Sequence, residues 1–179
     1  IIAECARLRK PVITATQMME SMIEAPTPTR AEVTDVYNAV RDGTDAIMLS
    51  AETSVGKFPF RAVQAMTRIA KQAERYIDHE QLANRRRKAA SAGVLPVDDA
   101  IADAAAVVAS SLNAKAIIAY TESGSTAGRV AAYRPVTPLF ALTPDIGAGA
   151  KLALRWGVIP IVVENYMNIQ DMFTAGSQF

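Results

Sequence analysis

Hydrophobic and polar positions along the chain alternate between a period of two and a period near 3.6. Val12 to Thr16 is a short apolar run that turns polar at Thr14, Thr16 and Gln17, and it reads as a strand. Ala46 to Ser50 reads as a second, ending in Ser50, Glu52 and Thr53. Between them Val33, Val36, Tyr37 and Val40 recur at i, i+3, i+4 and i+7, the spacing of one buried helix face. That helix has a written start and stop. Thr29 follows Pro28 as N-cap, Glu32 completes a capping box, and Gly43 ends it. After the second strand, Val63, Met66, Ala70, Ala73 and Ile77 mark one side of another helix. A βαβα order with short connections predicts parallel strands joined by right-handed crossovers.

The periodicity lapses in "DHEQLANRRRKAASAGVLP", where charge accumulates, and resumes in an alanine-rich helix from Val97 to Leu112. Ile101, Ala104, Ala105 and Val108 mark the expected buried side of that helix. Strand-like runs follow at Ala116–Tyr120, Leu139–Leu142 and Ile159–Val163, with helical stretches at Ala127–Tyr133 and Ala148–Trp156. The chain is thus of the α/β class. Its expected organisation is a first unit over residues 1–78, a linker over 79–96 and a smaller parallel α/β unit over 97–179. It begins at Ile1 without methionine and stops at Phe179 after what reads as a helix start, so it is expected to be a piece of a longer protein.

Composition narrows the partners. Nineteen Lys and Arg against eighteen Asp and Glu leave a formal charge of +1, which implies no general attraction to nucleic acid or membrane. Arg85, Arg86, Arg87 and Lys88 lack interleaved aromatic residues and have acidic neighbours upstream, so they read as a solvated connector. Cys5 is the single cysteine and can make no intrachain disulfide. No signal-like or membrane-length apolar span is visible, and the expected location is cytoplasmic.

In parallel α/β folds the loops beyond strand C-termini hold side chains beside helix N-termini. The polar strand ends, Thr14, Thr16 and Gln17 in one and Ser50, Glu52 and Thr53 in the other, are therefore candidates for chemistry. They are equally able to satisfy loop backbone groups. A second candidate is "TESGSTAG", which leaves a strand and opens a helix. Such a loop can offer backbone N–H groups to a phosphate, and it also makes an ordinary capped helix start. It is not a P-loop, because the Gly-Lys-Ser/Thr ending is absent. His79 between Asp78 and Glu80 does not have metal-ligand spacing, and Gly147-x-Gly149 lacks a third glycine. Met18, Met19, Met22 and Met48 read as packing residues, and Trp156 as core or interface.

The strings "KPVITATQMMESM", "PTPTRAEVTDVYNAVRDGTDAIMLSAETSVGKFP", "YTESG", "YRP" and "LRWGV" resemble the pyruvate kinase family over most of the chain. That resemblance implies the last two βα units of a (β/α)8 TIM barrel, followed by part of a parallel α/β C-terminal domain. It implies transfer of the phosphoryl group of phosphoenolpyruvate to ADP, giving pyruvate and ATP in glycolysis. Mg2+ and K+ are the implied cofactors, with ligands outside this chain, and a homotetramer is the implied assembly. Thr16 matches the family's active-site threonine, which contacts the substrate and lies near the carbon that is protonated. Ser50 and Glu52 match the "SGET" corner by the same site, with Ala51 where the family usually has glycine. Thr121, Glu122, Ser123, Gly124, Ser125 and Thr126 match the loop that holds a phosphorylated allosteric effector. The competing readings are a non-catalytic module binding a sugar phosphate or nucleotide, and an oligomerisation domain. The second explains apolar helix faces but not polar strand ends.

Overall fold

The computed structural model describes residues 1–15, 17–90 and 95–164. These divide into two compact units: residues 1–5 with 10–78, and residues 6–9 with the chain from His79 onward. Helix α1, Ile2–Arg7, opens the chain.

In the first unit β1 (Ile13–Thr14) and β2 (Ala46–Ile47) pair in parallel, with Ile13 opposite Ala46 and Thr14 opposite Ile47. Both strands are shorter than the apolar runs suggested. Helix α2, Arg30–Arg41, starts as the sequence dictates, with the Thr29 hydroxyl accepting from Glu32 N and the Glu32 carboxylate accepting from Thr29 N. It ends in a Schellman turn. Gly43 adopts φ 93°, a left-handed value that costs glycine no steric penalty, while Thr44 N donates to Ala39 O and Gly43 N to Val40 O. The buried face of α2 is Val36, Ala39 and Val40, with Val33 exposed. The short helix α3 (Ala51–Ser54) leads into α4 (Pro59–Glu74), which starts with proline at the first position, where no N–H is needed. Ala62, Ala65 and Met66 of α4 pack with Met18, Met19, Met22, Val36 and Ala39 in one core. Three of the four methionines singled out are thus packing residues; Met48 is exposed. Val63 also differs from expectation, being exposed on α4.

The second unit has a three-stranded parallel sheet in the order β3-β4-β5, formed by Ile117–Tyr120, Leu139–Thr143 and Val158–Val162. Central β4 is almost wholly buried, as expected of a strand flanked on both edges and covered by helices. Helices α7 (Ser125–Ala131) and α8 (Ile146–Leu152) connect the strands. Residues 79–90, where the pattern suggests a linker or a helix end, form helix α5. The four cations on α5 do not behave alike, because successive helical residues point about 100° apart. Arg86 is buried, Arg87 is held by Asp103, and Arg85 and Lys88 are exposed.

Helix α6, Val97–Ser111, lies where the alanine pattern put it but turned to a different face. It buries Asp99, Ala102, Ala106 and Ala109, whereas Ile101 and Val108 are exposed. Alanine lets the helix approach the core closely, and the larger apolar groups are left on the outer side. The core joins Ala102 and Ala106 to Ala119, Val130, Tyr133, Leu139 and Leu152.

Candidate functional site

The loops following β1 and β2 are tied together by one side chain. Glu52, only 3% exposed, accepts from Met19 N at 3.1 Å through Oε1 and from Ser50 N at 2.8 Å through Oε2. Gln17, in the loop after β1, has φ 52°, a strained value for a residue with a side chain. The α3 backbone that carries Glu52 is itself tightly wrapped. Gly56 N donates to Ala51 O, and a Cβ on Gly56 would lie 2.5 Å from Glu52 O.

Of the polar residues at these strand ends, Thr16 lies outside the described residues. Thr14 serves the backbone: its hydroxyl donates to Thr44 Oγ1 at 2.9 Å, and Thr44 Oγ1 in turn lies within reach of Val12 O and Ala46 O. Thr53 Oγ1 donates to Ser50 O. Ser50 is the N-cap residue of α3, yet its exposed side chain makes no cap hydrogen bond. Ala51 occupies the glycine position of the family pattern without a left-handed φ, as the first residue of α3.

Glu32 does more than close the capping box. Its carboxylate also accepts from Ser21 N at 2.7 Å and from Ser21 Oγ. Burial would raise its pKa, but the donors on Ser21 and Thr29 outweigh that and hold it below the ordinary carboxylate range. Glu24 pairs with Lys57. Among the described residues no group of three His, Cys, Asp or Glu side chains is placed to hold a metal ion.

In the second unit the loop 121–126 leaves β3 and enters α7. Gly124, at φ 85°, is the N-cap of α7, and a side chain there would press on Leu152 at 3.2 Å. Thr121 is buried, while Glu122, Ser123 and Thr126 are exposed. Thr143 at the end of β4 braces the loop by donating to Glu122 O at 3.3 Å. The Ser125 hydroxyl is engaged by Arg129 Nη1, and Arg129 also pairs with Asp98.

Behind that arginine lies a cluster the sequence did not reveal. Asp99, 3% exposed, accepts at 2.8 Å on both oxygens from Arg9 Nη1 and lies 3.5 Å from Arg86 Nη2. Arg86 donates to Arg7 O and sits over the Tyr133 ring, 5.6 Å from its centroid. Burial raises the Tyr133 pKa, with the Arg86 charge opposing. His79 Nδ1 lies 2.9 Å from Arg134 O, so that nitrogen carries the proton, and the ring meets Trp156 at 5.6 Å.

Both units resemble known proteins. The family model "Pyruvate kinase, barrel domain" matches residues 1–63, and "Pyruvate kinase, alpha/beta domain" matches residues 99–178. Pyruvate kinase 2 of Synechocystis is 46% identical over 175 residues, which are 98% of this chain and 28% of that protein. The pyruvate kinase of Clostridium acetobutylicum is 42% identical over 174 residues, 97% of this chain and 36% of that one. A crystal structure of a pyruvate kinase from Cryptosporidium parvum superposes with a TM-score of 0.92 at 42% identity, covering 97% of this chain and 35% of that one.

Proposed function

The chain belongs to the pyruvate kinase family, and from that premise we propose that the full-length protein transfers the phosphoryl group of phosphoenolpyruvate to ADP, yielding pyruvate and ATP in cytoplasmic glycolysis. The observation that carries the reading is likeness above 40% identity across nearly the whole chain, in both units, to proteins named for this activity. The alternative of a non-catalytic binding module has no such support.

Within that reaction this chain supplies one wall of the site. Thr16, which matches the family's active-site threonine, would help deliver the proton to the enol carbon, and the uncommitted Ser50 hydroxyl stands in the loop after β2. The Mg2+ and K+ that the family uses would neutralise charge on the transferred phosphoryl group. Three carboxylates of the first unit are already engaged. Glu52 and Glu32 are occupied by backbone N–H groups, Glu24 by Lys57, and no metal-holding cluster occurs among the described residues. By the family resemblance, the cation ligands are proposed to lie outside this chain.

The loop 121–126 would seat an effector phosphate on Ser123, Gly124, Ser125 and Thr126, against the unpaired N–H groups that open α7. Exposed Glu122 on its rim would repel a second phosphate, which favours a monophosphate such as AMP over fructose 1,6-bisphosphate. The outer stripe of α6, Val97, Ile101, Val108 and Leu112, is apolar and open, and it fits self-association into the homotetramer. The direct test is a steady-state assay of pyruvate formation by the full-length protein, wild type and Thr16→Val. The variant should lose roughly tenfold to a thousandfold in kcat, the range of acid–base assistance, with a smaller change in KM for phosphoenolpyruvate. Unchanged kcat would remove Thr16 from the mechanism.

A further inference from the structure

Resting on that reading of the reaction, we propose that Glu52 is a positioning residue, a clasp between the two catalytic loops, and gives up no proton in turnover. The resemblance puts Glu52 near the proton relay. The geometry gives it a different task. Both of its oxygens are spent on main-chain N–H groups, one from each loop: Met19 N at 3.1 Å and Ser50 N at 2.8 Å. The side chain is 3% exposed, so neither oxygen is presented to a substrate from solvent. Met19 is itself wholly buried and packed in the first unit's core, which makes the Met19 end of the clasp a rigid anchor.

The clasp explains two local oddities. Ser50 sits at the N-cap of α3, the position where a serine side chain ordinarily accepts a helix N–H, yet it makes no cap bond. Glu52 takes the Ser50 N–H from within the first turn and fixes the cap backbone instead, so the hydroxyl stays free for the site. On the other loop, Gln17 holds a left-handed φ of 52°, which surrounding contacts must enforce. The bond from Met19 N to Glu52, two residues on, is one such contact. Gly56 secures the clasp from behind, since its bare Cα lets the chain pass close to Glu52 O.

The distance between the two loops is thus set by a carboxylate spanning 33 residues of sequence. A side chain of that length with two acceptors is needed. Glutamine keeps the length but turns one acceptor into a donor facing an N–H. Aspartate keeps both acceptors but is one methylene short, so it can serve Ser50 N in its own loop and not Met19 N.

The test uses the full-length protein with Glu52→Gln and Glu52→Asp. Hydrogen exchange by mass spectrometry follows peptides covering 17–22, 48–54 and, as a control, α2 at 30–41. Kinetics follow kcat, KM and their pH profiles. For Glu52→Asp, exchange should rise about tenfold or more in 17–22 alone, with 48–54 and α2 unchanged. For Glu52→Gln it should rise in one or both loops. In both variants kcat should fall roughly tenfold to a hundredfold, with KM for phosphoenolpyruvate within about threefold and both limbs of the pH profile in place, because geometry and not a titrating group has been lost. Disappearance of a limb in Glu52→Gln would show Glu52 to be an acid or base and overturn the proposal. So would unchanged exchange at 17–22 in Glu52→Asp. If wild-type protein makes no pyruvate, the functional reading fails while the exchange arm still decides whether the clasp exists.

Discussion

Asp99 is the residue whose loss should cost the second unit most. It is buried against Arg9, Arg86 and, at 3.6 Å, Arg129, and its partner Arg86 has a side chain only 4% exposed. Asp99→Ala removes the acceptor for Arg9 Nη1, a charge-assisted interaction of about 1.5–3 kcal/mol. It also strands the Arg86 guanidinium, whose Nε is already buried without a hydrogen-bond partner. Breaking a buried pair from one side costs about 3–5 kcal/mol, and that is the expected loss. Asp98 beside it provides the contrast. Its side chain is 54% exposed and pairs only with Arg129, so Asp98→Ala should cost less than about 1 kcal/mol. Hydrogen exchange on the full-length protein reads the difference: amides of α5 and α6 should exchange at least roughly a hundredfold faster in Asp99→Ala and no more than about fivefold faster in Asp98→Ala. Adding Arg86→Met to Asp99→Ala should recover part of the loss, since the stranded charge goes with it. Equal effects at the two aspartates, or a further loss on adding Arg86→Met, would refute the argument from buried charge.

Glu32→Gln should destabilise the first unit by about 1–2 kcal/mol at neutral pH through the lost cap and Ser21 acceptors. Because the folded pKa of Glu32 is lowered, its contribution is complete above the ordinary carboxylate range and is lost as pH falls through the folded value. Urea melts of wild type and variant should therefore converge in acid, and a constant gap would count against the assignment. Gly124→Ala and Gly157→Ala both force alanine into left-handed φ, at about 1–2 kcal/mol each. Only the first meets Leu152, whereas a Cβ on Gly157 meets nothing within 4 Å, so thermal melts should show Gly124→Ala to be the more damaging. Calorimetric titration of the full-length protein should find tighter binding of AMP or a sugar monophosphate than of fructose 1,6-bisphosphate, with Ser123→Asp weakening it. The reverse order of affinities would dismiss the role given to Glu122.

The features legible in the sequence were those whose partners lie within one helical turn. Thr29, Glu32 and Gly43 specify both ends of α2 by contacts three to five residues long, and the structure reproduces them. Interactions across the fold were not legible. Glu52 meets a partner 33 positions away, and Arg9 meets Asp99 across 90, and no local spacing announces either. The face of α6 differs from the pattern for another reason. The apolar pattern points to the face of Ile101, Ala104, Ala105 and Val108, but the seam against the core is lined by Ala102 and Ala106, and Ile101 and Val108 face outward. Arg86 was hidden by its neighbours, because a run of cations looks uniformly solvated until the helix rotates one of them inward.

That division of α6 into an alanine face and an aliphatic face has a kinetic consequence. The core of the second unit closes over Ala102, Ala106 and Ala109, whereas Val97, Ile101, Val108 and Leu112 are left exposed. For the self-association proposed through this strip, folding and association are separate events in time. On dilution from denaturant the first should proceed at a rate independent of protein concentration, and the second as a bimolecular step that slows in proportion as the solution is thinned. In the interval between them each chain carries an uncovered aliphatic strip, and the rate at which copies find one another sets how long it stays exposed.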